Sequence, residues 1–479
     1  MKLFAKDSSF YGKVFKIALP IAAQSLITIG VNMLDTIMVG KVGDGALSAV
    51  SQANSFISIY QIFCMGLGMG ASVLVSRYWG MRKAVTEDAQ TIMPDEDEGS
   101  QRDKATVALK QTVCIMLRFT VLLASLFALA TLFFPRAIMM TYTRENAIID
   151  MGVDYFKYSI VTFFFLGLSL TTTIALRSVG QTIYPLIVSI GAFFVNLCAN
   201  YAFIFGKWGA PEMGVAGAAL GTLLARLFEA SAILVFLFVI DKKINFRIKD
   251  IFMSTKSILK EYIRICIPVL ISDGILAFGN NCVAQVIGHV GQEMSDANAI
   301  TSVTQQLSTV LISGVSQAGA IVTGQTLGMG EKEKTQRQGW LFLGLGFALG
   351  SLSALFIILT GSPIVETYTQ LSESTRQTAK LLMLSISIIV VFQATNSIMT
   401  KGVLRGGGDT KTLMFADNIF FWIIALPLGI LAAFVFKLPA FWIYLCLKSD
   451  QIFKTVWCVI RLKSGKWIKK VTTGDNGQN

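Results

Sequence analysis

Stretches of twenty or more apolar residues recur along this chain, and water-soluble domains do not carry them in such number. The first is Val14–Val39. Others cover Ala105–Phe134, Tyr155–Leu176, Tyr184–Phe205, Gly214–Ile240, Leu341–Thr360 and Leu413–Phe436. Each, wound as a helix, is long enough to cross the ~30 Å of hydrocarbon in a bilayer. Composition agrees: charged residues make up 15% of the chain and hydrophobic residues 53%, with mean hydropathy +0.62, whereas soluble domains run near ~25% charged. More polar spans near 46–77, 262–288, 298–327, 378–400 and 439–460 bring the expected number of membrane helices to twelve. The span 298–327 contains Thr301, Thr304, Gln305, Gln306, Ser308, Gln317 and Thr323. That is too polar for a lipid-facing helix, so it should line an aqueous cavity or pack between neighbours.

The net charge of +12 is distributed in alternate connections. Lys2, Lys6, Lys13 and Lys16 precede the first span. Lys242, Lys243, Arg247, Lys249, Lys256, Lys260 and Arg264 fill the central connection. Lys332, Lys334 and Arg337 follow the eighth span, and Lys463, Lys466, Lys469 and Lys470 close the chain. This is the positive-inside pattern with both termini cytoplasmic. A nucleic-acid surface would instead cluster its basic residues among exposed aromatics, so no nucleic-acid partner is expected. The seven cysteines show no C-x-x-C spacing or disulfide framework and read as buried thiols. The first apolar stretch is too long for a cleavable signal and reads as a retained helix.

The sequence repeats itself. IALP at 17–20 returns as ICIP at 265–268, 248 positions on, and Gly80-Met81 returns as Gly328-Met329 at the same offset. ALRSVGQT, with Leu176, Arg177 and Gly180, returns within VLRGGGDT as Leu404, Arg405 and Gly408, here 228 positions on. The first half therefore carries about twenty extra residues, assigned to a polar surface loop at 86–104. Two homologous halves of six helices follow: an N-terminal lobe 1–241, a cytoplasmic linker 242–261 and a C-terminal lobe 262–479. Six is even, so the repeat is parallel, about an axis along the membrane normal. The expected fold is an all-α membrane protein of two six-helix bundles with a cleft between them, open alternately to each side. The hinge arginines and Asp409 read as scaffold, tying loop carbonyls or lipid phosphates.

Ionisable residues inside a membrane are costly and mark function. Beyond Pro20, Gln24, Thr28, Asn32 and Asp35 are spaced 4, 4 and 3 apart and share one helix face. Asn196 and Asn200 are one turn apart in the fifth span, and Thr222 lies on a small-residue face of the sixth. With Asp35, these oxygens suit a hard monovalent cation or a relayed proton. In the second half Asp273 follows Pro268 by five residues, Asn280 lies further along, and Gln393 and Asn396 form a polar face in the tenth span. Arg226 and Glu229, three apart, read as a structural ion pair. Scattered methionine and phenylalanine would suit a cavity for flat organic cations. A lone histidine and the lack of a metal-spaced cluster argue against an enzyme or a resident metal or cofactor.

Pro20 with Asp35 in LDTIMVG, the AALGT helix, LRGGGDT after the tenth span and SGKW at 464–467 together resemble the multidrug and toxic compound extrusion (MATE) family across nearly the whole chain. The resemblance implies a secondary active exporter of small organic cations, coupled to inward Na⁺ or H⁺. It places the coupling site at Asp35, Asn196 and Asn200, beside the Thr222 read above, and it puts a seventh-helix carboxylate near Asp273. Where the family pattern is Asn-x-x-x-Asp, this chain has Asn196-x-x-x-Asn200, one carboxylate fewer. It further implies a monomer among the lipids of a plasma membrane, the inner membrane in a bacterium. The alternative is a lipid-linked oligosaccharide flippase of the same superfamily, whose cavity would be rich in Arg and Lys.

Overall fold

The structure is a computed structural model that describes residues 8–88, 96–368 and 371–469. Among these residues there are helices and no strands. Eleven helices are long and apolar enough to cross a membrane. They are α1 (Ser8–Gly40), α2 (Asp44–Asp88), α3 (Glu96–Phe133), α4 (Asn146–Ser178), α5 (Ile183–Phe205), α6 (Val215–Ile240), α7 (Lys256–Val290), α8 (Gln292–Gly328), α9 (Lys332–Thr367), α10 (Glu373–Leu404) and α11 (Thr410–Val435). Outward faces carry exposed Leu122, Leu126, Leu355, Leu359 and Ile423. Apolar exposure on that scale is the mark of a surface solvated by lipid, and the chain is a multi-pass membrane protein.

The twelfth span departs from the expected single helix. It is two pieces, Ala440–Leu447 and Asp450–Lys463, which together form α12. Charged residues gather at and after the break. Asp450 sits in the first turn of the second piece, where a carboxylate suits the positive helix end. Lys454 bridges Asp450 at 3.0 Å and Asp417 of α11 at 3.4 Å. The stretch 86–104 also differs from the expected loop. Apart from 89–95, which lies outside the described residues, it belongs to the ends of α2 and α3.

The chain divides into two compact units, and the division does not follow the halves at 241 and 262. Among the described residues, one unit lies within Ala23–Cys266; the other joins 8–22 with 267–368 and 371–469. Both boundaries fall beside the proline inside a long helix, Pro20 in α1 and Pro268 in α7. The core of the second unit explains the reassignment. Phe10, Val14, Ile17 and Ile21 are buried there with Ile312, Phe342, Met399 and Trp467. The first unit has its own core, in which Tyr60 and Phe163 meet edge to face. The linker is ordered on α3 of this unit. Arg118 donates to the carbonyls of Ile251 and Met253, and Lys110 pairs with Asp250 at 2.8 Å. Burial pushes the Asp250 carboxyl up, but Lys110 and the Arg247 amide outweigh it and hold it below the ordinary range.

The repeated hinge turns the same way in each unit: Gly180 has φ +76° and Gly408 φ +86°, the left-handed region glycine tolerates. Arg177 donates to Gln24 of α1, and Arg405 donates to Asp273 of α7 at 3.0 and 3.3 Å. Each arginine fastens the helix that opens its own repeat, just beyond the proline. Asp409 is scaffold: it accepts from Arg461 at 2.7 Å and Thr412 at 2.7 Å. SGKW closes that loop, with Trp467 buried, its indole N–H on Gln336.

Candidate functional site

Within the Ala23–Cys266 unit lies a cavity of about 510 Å³, walled by the second half of α1 with α2, α4, α5 and α6. Such volumes, ~300–1,000 Å³, hold drug-sized ligands. The 4-4-3 spacing on α1 turns one polar face inward, and Thr28, Asn32 and Asp35 all line the wall. Thr28 spends its hydroxyl on the carbonyl of Gln24, one turn back in its own helix. Asn196 of α5 and Thr222 of α6 complete the set expected on this side.

Asn200 is buried behind Asp35. Its side-chain N–H2 donates to Asp35 Oδ1 at 2.5 Å and to Asn196 Oδ1 at 3.2 Å. In the Asp35–Asn200–Asn196 set one amide N–H2 joins two oxygens, Asn200 Oδ1 is buried without a partner, and Asp35 is the set's one carboxylate. Apolar and aromatic wall is supplied by Ile27, Val31, Leu166 and Phe193, and the Tyr155 hydroxyl donates to Asn54 at 3.2 Å. The arrangement can hold a flat organic cation against apolar and aromatic surface with its charge at Asp35.

Asn200 depends on Gly221 of α6. A Cβ at 221 would stand 2.1 Å from Asn200 Oδ1. We expect Gly221→Ala to push Asn200 off Asp35 and weaken binding of an organic cation about tenfold, ~1.4 kcal/mol of lost site stabilisation. Gly319→Ala, whose Cβ would meet its nearest neighbour at 3.5 Å, should bind as wild type. Fluorescence titration of the purified protein with ethidium reads both variants.

The residues expected in the second half lie in the other unit, each bonded to a different partner. Asp273 is engaged by Arg405. Asn280 accepts from Lys448 at 3.3 Å, the Gln393 carbonyl accepts from Gln305 at 2.7 Å, and Asn396 donates to Gln451 at 2.7 Å. Among the described residues no group of three His, Cys, Asp or Glu is placed to hold a metal. The sequence reading overlooked Asp417 and Lys454, although an ionisable residue inside an apolar span is itself the signal. It noticed Arg226 and Glu229 but kept them off the site, whereas both line the cavity. Their signal was the spacing Thr222, Arg226, Glu229, one face of one helix.

Comparison with known proteins places the chain as a whole. The MatE family model matches residues 20–92, 101–202 and 252–452. The chain is 28% identical over 466 residues to a "Probable multidrug resistance protein NorM" of Thermotoga maritima, covering 96% of this chain and 93% of that protein. It is 25% identical to a protein of the same name from Mesorhizobium japonicum, covering 90% and 89%. It is 22% identical to the "Uncharacterized transporter YisQ" of Bacillus subtilis, covering 97% and 96%. Among solved structures it is similar to "MATE in complex with MaL6", with TM-score 0.82, 17% identity and coverage of 97% and 98%. A "multidrug resistance MATE family transporter of the MOP superfamily" in an outward-facing conformation gives TM-score 0.80 at 18% identity, covering 95% and 96%. At these identities the structural likeness speaks to the fold.

Proposed function

The chain belongs to the MatE family, and from that premise we propose that it is a secondary active exporter of organic cations that works by alternating access and takes in a proton for the cation it expels. Relatives named multidrug resistance proteins support the export reading. The observation that carries the coupling ion is Asn200. Hard cations are held by converging oxygen donors. Here Asn200 offers Asp35 N–H groups, and the second carboxylate that would make a tight Na⁺ site is replaced by an amide. A single carboxylate held by a neutral donor suits a proton. Asp35 then holds either the proton or the organic cation, because an unpaired charge in such a site is costly. Competition for one carboxylate couples the two fluxes.

A lipid-linked oligosaccharide flippase is not favoured. Its pyrophosphate cargo would call for a basic cavity, and here the one wall guanidinium, Arg226, is already paired with Glu229 at 2.7 Å. The basic connections support a cytoplasmic side that holds both termini, in a plasma membrane. The test is efflux of ethidium from proteoliposomes under a proton gradient and a Na⁺ gradient imposed separately. Efflux under the proton gradient alone is the expected result. Efflux driven by Na⁺ with no proton gradient overturns proton coupling. If neither gradient moves the dye, the exporter reading fails.

A further inference from the structure

The α6 face that carries Thr222 continues with Arg226 and then Glu229, and all three line the cavity. Arg226 Nη1 donates to Glu229 Oε2 at 2.7 Å. Glu229 is 9% exposed in its side chain and Arg226 26%. The other carboxylate oxygen of Glu229 accepts from Ser189 Oγ of α5 at 3.5 Å. That hydroxyl accepts from Gln24 Nε2 of α1 at 2.6 Å, and the Gln24 carbonyl accepts from the hinge guanidinium of Arg177. Glu229 is thereby fastened from behind by α1, α4 and α5, and Arg226 is fastened by Glu229.

The titratable and charged groups on the cavity wall are few. They are Asp35 on α1, Tyr155 on α4, and Arg226 and Glu229 on α6. Polar wall residues from α2 and α5, such as Asn54, Gln61, Ser189 and Asn196, are neutral. Tyr155 is a neutral hydrogen-bonding phenol, engaged by Asn54. The charge count then turns on whether Arg226 stays with Glu229. We propose that Glu229 is a positioning residue that keeps Arg226 off Asp35, so that the cavity presents one unneutralised carboxylate and exchanges one proton for one monovalent organic cation.

The reasoning is electrostatic and rests on the exporter reading above. A guanidinium in a poorly solvated cavity does not stay unpaired, because an uncompensated buried charge is strongly unfavourable. If Glu229 were neutral, the remaining carboxylate on the wall would be Asp35. An aspartate paired with arginine stays ionised and has no vacancy for a proton or a cation. With the Arg226–Glu229 pair intact, the charges that line the cavity sum to zero when Asp35 holds a proton, Arg177 standing behind the wall on Gln24. The sum is zero again when Asp35 is ionised beside a monovalent cation. Each loaded state is then free of net charge, and a dication would leave one charge uncompensated.

The test counts protons released per ethidium bound by the purified full-length protein in weakly buffered detergent, beside ethidium affinity. Wild type should release about one proton per ethidium. Glu229→Gln should bring release towards zero and weaken ethidium binding about tenfold or more, ~1.4 kcal/mol. Removing both charges, in Arg226→Gln with Glu229→Gln, should restore release to about one. Arg226→Gln alone leaves two carboxylates, so a dication such as methyl viologen, poorly held by wild type, should now bind and release about two protons, a readout that stands even if Glu229→Gln does not fold. Asp35→Asn separates the two levels of argument. If it still releases the proton, the coupling reading itself is wrong. If it does not, but Glu229→Gln behaves as wild type or the double variant stays inactive, the positioning role alone is overturned.

Discussion

Replacing Asp35 with asparagine abolishes proton-driven efflux and leaves the fold standing. Asparagine matches aspartate in shape and can still accept the hydrogen bond that Asn200 donates. It can neither take up a proton nor face a cation with a negative charge. Two unit charges ~4 Å apart at an effective dielectric near 20 attract by about 4 kcal/mol, of which desolvation cancels part. A net loss of roughly 2–4 kcal/mol corresponds to ~30- to 1,000-fold weaker binding of a cation. Efflux under a proton gradient should therefore fall to the leak of empty liposomes, while thermal unfolding in detergent stays near that of wild type. Asp35→Glu keeps the charge on a longer stem and should retain part of the activity. An Asp35→Asn protein that still expels ethidium under a proton gradient would move coupling elsewhere, and Glu229, on the same cavity wall, would be the first place to look.

The local patterns were legible because they depend on short-range periodicity. Apolar runs report spans, since only helices of that length satisfy their backbone in hydrocarbon. Thr28, Asn32 and Asp35 share a face by helical spacing, and they do line one cavity. Partners far apart in the chain were not legible. Asp273 and Arg405 are 132 residues apart, and nothing local to either names the other. The repeat held that information in part. The offset of 248 maps Gln24 and Ser25 onto Ser272 and Asp273, and the hinge arginine of each half reaches that same level, at Gln24 in one and Asp273 in the other. The packing of Phe10, Val14, Ile17 and Ile21 into the core of the other unit was also hidden, because amphipathic faces say that a helix packs and not against what. Arg226 and Glu229 were visible as a pair three apart. Their spacing alone does not separate a structural pair from one on a cavity wall.

The Asp273–Arg405 pair decides what the second acidic residue does, and the expected result is a loss of stability rather than of coupling. Arg405 is 5% exposed in its side chain and Asp273 20%, and two guanidinium nitrogens reach the carboxylate. Removing one partner of a buried ion pair leaves the other charge uncompensated and costs about 3–5 kcal/mol. Asp273→Asn should therefore lower the unfolding temperature in detergent by several degrees. Arg405→Gln should do the same, because a buried carboxylate is then left alone. The double replacement removes both charges, so its cost should be clearly less than the sum of the single costs, the signature of two groups in direct contact. Protein that remains folded should keep the wild-type count of protons released per ethidium, because Asp35 and its cavity lie in the Ala23–Cys266 unit. An Asp273→Asn protein as stable as wild type that releases no proton on binding ethidium would make Asp273 a coupling residue, with Arg405 as its resting counter-charge.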